Sequence, residues 1–172
     1  MAQTYQRIAS TRLGTSASTV TFSSISTAYT DLEILISARS TSASEFAGVN
    51  MKFNGDTANN YAYVALRAST SATPVYDGTN AAGTAGIMWI PGANVSSGGF
   101  GHARVYIVDY KDTTTNKSGS YVDHVASSTG NPYLHSTGAF YWSGTAAINS
   151  IEFSGTTFAA DSLFQIYGIL RA

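Results

Sequence analysis

Three histidines, His102, His124 and His135, are the side chains of this sequence best suited to hold a transition metal. No two of them stand at the i, i+2 or i, i+4 spacing that sets two imidazoles on one side of a strand or helix. The spacing predicts polar histidines at strand ends or in loops, and no metal site. A serine nucleophile needs a base and an orienting acid within reach, and the one crowded group is Ser118 with Asp123 and His124. Adjacent residues of a strand point to opposite faces, so Asp123 and His124 are poorly placed to orient one another. The G-x-S-x-G turn is missing too. With no cysteine in the chain, disulfides, thiolate zinc sites and cysteine nucleophiles are also closed. The expectation is a protein with no catalytic residues and no cofactor, not an enzyme.

Oxygen ligands for a hard cation are offered by Asp109, Asp112, Thr113 and Asn116, and again by Asn54, Asp56 and Asn59. Neither group follows a calcium-loop pattern, and Asp and Asn form turns by bonding their own backbone, which is the reading adopted. Two tryptophans and eleven tyrosines can either stack on sugar rings or fill a core and a subunit interface, since each buries a large area. Tyr141, alternating with Phe140 and Trp142, is the aromatic expected to face outward. Asn94-Val95-Ser96 and Asn116-Lys117-Ser118 match the glycosylation triplet, which a chain rich in Ser and Asn produces by chance.

Strands must position all of these residues. Leu32, Ile34, Ile36 and Ala38 alternate with Glu33, Leu35, Ser37 and Arg39, the period of two that marks a half-buried strand. Phe46 to Phe53 repeats the pattern through Val49, Met51 and Phe53. Asn54-Gly55-Asp56 then reads as the turn of a hairpin whose returning strand is Tyr61 to Leu66. Residues 68 to 86 read as a long surface loop with a short strand at Val75-Tyr76. Further strands are expected at Val20-Thr21-Phe22, Ile87 to Ile90, Ala103 to Tyr110, Ser120 to Val125 and Ala139 to Trp142. A polar connection spans Asp109 to Gly119, and a turn-rich stretch spans Ser127 to Pro132.

In the last third, Ala147 to Phe153 and Leu163 to Ile169 flank Ser154-Gly155-Thr156-Thr157 and read as two strands folding back on each other. The second is apolar on both faces, so it is expected to be covered on both, by the domain or by a neighbouring subunit. No apolar set recurs at helical spacing over three turns. Nine or ten short strands spaced by turns indicate an all-β, jelly-roll-like antiparallel β-sandwich in a single domain.

At 172 residues the chain is one domain by length and can bury roughly two-thirds of its unfolded surface. Nine basic and ten acidic residues leave a net charge of -1, too weak a field to gather nucleic acid or an anionic membrane. Charged residues form 11% of the chain, below the roughly 25% usual in soluble domains, with Ser, Thr, Gly, Ala and Asn in their place. The first residues carry no apolar core of a signal peptide, and no run reaches the length of a membrane span.

Residues 1–18 space Tyr5, Ile8 and Leu13 among Gln, Ser and Thr, with Arg7 and Arg12 as the two cations. Two placements stay open. This segment is either an arm lying on a partner, with Arg7 and Arg12 pairing the partner's acids, or an edge strand of the sandwich formed by residues 19–172, with Ile8 in the core. Tyr5, Arg7, Ile8, Arg12, Leu13 and Tyr141 are accordingly the candidate interface residues.

Val20-Thr21-Phe22-Ser23-Ser24-Ile25, Tyr29-Thr30-Asp31-Leu32, Phe53-Asn54-Gly55-Asp56, Asn60-Tyr61, Ala147-Ile148-Asn149-Ser150-Ile151 and Phe164-Gln165-Ile166-Tyr167-Gly168-Ile169 together resemble small jelly-roll virion proteins of tailed bacteriophages. The likeness runs over nearly the whole chain and marks a fold more firmly than a role. It implies a freestanding capsid decoration, or cement, protein, since the chain begins with its own Met1 and has no fibre shaft. The implied location is the capsid surface of the virion, after synthesis in the host cytoplasm. The implied partners are the major capsid protein and the chain itself as a homotrimer. The alternative is a tail-fibre tip that recognises a host-surface glycan.

Overall fold

The computed structural model describes residues 4–69, 75–95, 98–126 and 133–171. Among these residues there are twelve strands and no helix. They are β1 Tyr5–Arg12, β2 Val20–Phe22, β3 Asp31–Ala38, β4 Phe46–Phe53, β5 Tyr61–Ser69, β6 Val75–Ala82, β7 Ile87–Pro91, β8 Gly101–Val108, β9 Lys117–Ala126, β10 Tyr133–Trp142, β11 Ile151–Ser154 and β12 Leu163–Ile169. Eight form one antiparallel sheet in the order β1-β12-β3-β8-β9-β10-β5-β6, and four form a second in the order β2-β11-β4-β7. The fold is a jelly-roll-like, all-β sandwich.

Alternation along each strand selects the face that packs. Leu32, Ile34 and Ile36 of β3, Ala103, Val105 and Ile107 of β8, and Phe164 and Ile166 of β12 turn inward from the large sheet. Val20, Phe22, Val49, Met51, Phe53, Ile151 and Phe153 meet them from the small sheet. Aromatic edges lock the seam: Phe164 lies 5.4 Å from Phe153 and 5.0 Å from Phe158 between ring centres. Burying this continuous apolar layer is the main source of stability.

Several expectations about connectivity are corrected. β11 and β12 do not pair with each other: β11 lies between β2 and β4, whereas β12 lies between β1 and β3. After the Gly155 turn, at φ 97°, the chain runs through Phe158, which bridges Ala17 and Ser40 and buries its ring in the core. That anchor carries the chain from one sheet to the other.

Phe46–Phe53 and Tyr61–Ser69 likewise form no hairpin, because they belong to opposite sheets. Asn54, at φ 53°, donates from its amide to Ala147 O and accepts from the Asn149 and Ser150 amides. Asp56 accepts from Ala58 N, Asn60 Nδ2 and Trp142 Nε1. The turn is thereby tied to both sheets and acts as a corner between layers.

The expected loop over residues 68 to 86 is largely strand. β5 runs to Ser69, and β6 pairs with it from Arg67↔Val75 to Tyr61↔Ala82. Small Ala, Thr and Gly residues look loop-like in sequence yet sit in a ladder here, because pairing at a sheet edge asks little of a side chain. β9 also starts earlier than expected, at Lys117, and β10 starts at Tyr133. The turn-rich stretch Ser127 to Pro132 lies outside the described residues.

Candidate functional site on the outer face of the large sheet

The inner face of the large sheet is core, and its outer face is open to solvent. Cross-strand register arranges that face in rows. One row crosses Leu163, Ser37, His102, His124, His135 and Ala68, and the next crosses Gln165, Leu35, Arg104, Val122, Thr137 and Leu66. A third runs through Tyr167, Glu33, Tyr106, Ser120, Ala139 and Val64.

At the β1 end, the face is a closed polar network. Tyr5 stacks on Tyr167 with ring centres 4.8 Å apart, and its hydroxyl donates to Glu33, which also takes the Arg104 guanidinium. Tyr106 donates to Asp31 at 2.7 Å, and Asp31 further accepts the Asp109 amide and the Arg171 guanidinium. Both carboxylates are buried on what would otherwise be an open sheet face, and cations and phenols compensate them. Desolvation, then the Glu33 acceptor, raise the Tyr5 phenol above its usual value, and the Asp31 acceptor does the same for Tyr106.

At the β5 end, the face is apolar and open. Val64, Leu66 and Tyr141 are 57%, 37% and 43% exposed, with Ala139 beside them. Tyr141 pairs with Ala62, Ala139 with Val64 and Thr137 with Leu66. A shallow groove of about 260 Å³ is lined by Ala62, Tyr63, Val64, Ala139, Phe140 and Tyr141. Between the two ends lies a groove of about 300 Å³ bordered by Arg104, Tyr106, Ser120, Val122 and Thr137.

The candidate interface residues separate. Tyr5, Arg7, Ile8 and Arg12 lie on β1, which pairs with β12 from Tyr5↔Ile169 to Arg12↔Leu163. The register shifts between Arg7 and Ala9, so Ile8 sits in a bulge, half-buried against the core, and Arg7 is exposed. Such a bulge makes an edge strand a poor template for further pairing. Arg12 already pairs with Asp161 of its own chain at 3.1 Å, because β1 pairing brings it to the start of β12. Leu13 exchanges backbone hydrogen bonds with Asp161 and Ser162 and packs on the core. Tyr141 is remote from them, on β10, facing outward while Phe140 and Trp142 face inward.

The expected turn-formers behave as such. Asp112 Oδ1 accepts from the Thr114 amide and hydroxyl and the Thr115 amide, which lower its pKa to about 2. Asn116 donates to Ser143 O at 2.6 Å, and Asp109 pairs with Arg171. His124 and Asp123 do point apart, and Asp123 is fully buried.

Two buried charged residues carried no signal in the sequence. Lys117 is enclosed, donating to Thr115 O and Thr145 O, and desolvation lowers its pKa. Asp123 sits in an inner row between Ala103 and Ser136, with Arg67 beyond. Neither of its carboxylate oxygens closes a well-formed hydrogen bond. Burial therefore outweighs the help of Ser136, the Trp89 amide and Arg67, and raises its pKa to about 7. Arg67 lies over the Trp89 ring at 4.7 Å. Only the spatial neighbours across β9, β10 and β7 reveal this cluster.

No protein-family model matches the chain, and no curated protein does. Among solved structures, a legume lectin-like domain from Entamoeba histolytica is 9% identical, with 95% of this chain and 84% of that one covered and a TM-score of 0.16. A putative pore-forming toxin from Bacteroides vulgatus is 12% identical, with 86% and 53% covered and a TM-score of 0.09. These values are too low to carry any argument about this chain's relationship or role.

Proposed function

We propose that this protein is a non-enzymatic structural component of a tailed-phage virion: a capsid decoration protein, acting as a homotrimer, that binds the major capsid protein on the outside of the head and stabilises the shell. The observation that carries this reading is the open strip of Val64, Leu66, Ala139 and Tyr141 on the outer face of the large sheet. Aliphatic and aromatic side chains without charge are the composition of the centre of a protein interface. A stiff two-layer body backing an exposed, nearly flat apolar strip suits adhesion over an area rather than chemistry in a cleft. The family resemblance supplies the choice of shell over other surfaces.

The fibre-tip reading is favoured by a different feature, the central groove, where Arg104, Tyr106, Ser120 and Thr137 place hydrogen-bonding groups beside aromatic carbon, the mixture that holds a sugar. Cosedimentation of the full chain with undecorated phage heads distinguishes the readings. Saturable binding at hundreds of copies per particle, weakened by Val64→Ser with Leu66→Ser, is the expected result. Absence of head binding together with saturable binding on a glycan array overturns decoration in favour of the fibre tip.

A further inference from the structure

We propose that His102, His124 and His135 form a binding site for one imidazole-preferring divalent transition-metal ion on the outer face of the large sheet, at the shared end of β8, β9 and β10. Sequence spacing argues against such a site, since the three lie on three separate strands. Register reverses that argument. His102 is the direct cross-strand partner of His124, and His124 is the direct partner of His135. Direct partners project from the same face with Cβ atoms about 4.5–5.5 Å apart.

The imidazoles follow the backbone: ring centres are 5.9 Å apart for His102 and His124 and 6.4 Å apart for His124 and His135. Two imidazoles sharing one tetrahedral ion, at metal–nitrogen distances of about 2.0–2.1 Å, have ring centres roughly 5 Å apart. As they stand, no three ligating side chains among the described residues converge on one point. The gap is roughly 1 Å in each adjacent pair, but His102 and His135 stand two strands apart, a span of about 9.5 Å, so sharing one ion requires both outer rings to rotate inward over His124.

The surroundings favour a neutral-ligand site. His102 and His135 are exposed and His124 half-buried, so an ion has access from solvent. Across the next row the neighbours are Arg104, Val122 and Thr137, and the Arg104 charge is engaged by Glu33. Asp123, the nearest carboxylate in sequence, projects to the opposite face and is excluded as a ligand. Three imidazoles and no carboxylate select zinc, nickel, cobalt or copper over magnesium or calcium. They also leave a fourth position open to solvent.

The test is calorimetric titration of the full chain with Zn²⁺ and with Ni²⁺, beside His102→Gln, His124→Gln and His135→Gln, each checked for an unchanged circular dichroism spectrum. The expected result is saturable one-to-one binding, lost in His124→Gln and weakened in both flanking variants. Histidine-ring NMR signals of all three residues should shift on titration with Zn²⁺. Absence of saturable binding, or wild-type affinity in any one of the three variants, overturns the site. These surface substitutions leave the core intact, so a loss of binding reports on the ligands.

Discussion

β12 and β5 read alike in sequence, as strands with apolar residues on both faces, yet the fold treats them differently. β12 is flanked by β1 and β3, its inner face buries Phe164 and Ile166, and Tyr5 stacks over Tyr167 on its outer face. β5 lies one strand from the opposite edge, and its inner face ends in Arg67, beside the Asp123 and Ser136 cluster. Its outer face leaves Val64 and Leu66 open. Apolar residues on both faces therefore report two conditions, a strand covered on both faces by its own chain and a strand covered on one. Only neighbours across the sheet distinguish them.

The sharpest break in this comparison is on β12. Phe164→Ala removes a ring wedged between Phe153 and Phe158, and is expected to cost about 3–5 kcal/mol in urea unfolding. A much smaller loss would mean that the seam between the sheets is less tightly packed than its ring contacts indicate.

On the β5 side the lever is pH. The folded pKa of Asp123, raised to about 7, lies above the ordinary carboxyl value of about 3.9, so folding favours its neutral form. Its contribution is complete below about pH 4 and is lost as pH rises through about 7, amounting to at most about 4 kcal/mol. Unfolding midpoints should therefore fall between pH 5 and pH 8, and Asp123→Asn should flatten that slope. An unchanged slope in the variant would remove Asp123 as its source. The depressed pKa of Asp112 acts with the opposite sign, but at more acid pH, outside this window.

Gly168→Ala probes how closely β12 is covered from within. A Cβ there would stand 2.3 Å from the Tyr29 ring, so overpacking is expected to cost about 1–3 kcal/mol, read as a lowered melting temperature. On the outer face, Tyr5→Ala should cost about 0.5–1.5 kcal/mol through the lost stack on Tyr167. The smallest effect belongs to β5: Val64→Ser and Leu66→Ser should each change stability by about 0.5 kcal/mol or less. In the decoration reading the same pair weakens attachment to heads, so stability and binding part company at β5 alone.

Much of the fold was legible because alternation is a local property. Leu32, Ile34 and Ile36 announce β3 and its inner face without reference to any other strand, and Val49, Met51 and Phe53 do the same for β4. Hairpins were misread where a turn signal stood between two good strands. Asn54-Gly55-Asp56 has the residues of a tight reversal, but its side chains bond Ala147, Asn149, Ser150 and Trp142, partners far away in sequence. Residues 77 to 82, beyond the expected Val75-Tyr76 strand, were misread in the opposite sense, since small polar residues hide a strand whose support comes from the β5 backbone.

The sequence by itself determined that this is an all-β chain, and the course and inward face of strands such as β3, β4 and β8, because each of these follows from neighbours one or two residues away. It also determined that Asp123 and His124 point to opposite faces. Tertiary structure alone decided which sheet each strand joined, that Lys117 and Asp123 are enclosed, and that three dispersed histidines stand in one row. Register couples residues through hydrogen bonds between distant strands, and many pairings satisfy the same alternation. Only packing of the whole core against Phe53, Phe153, Phe158 and Phe164 selects one of them.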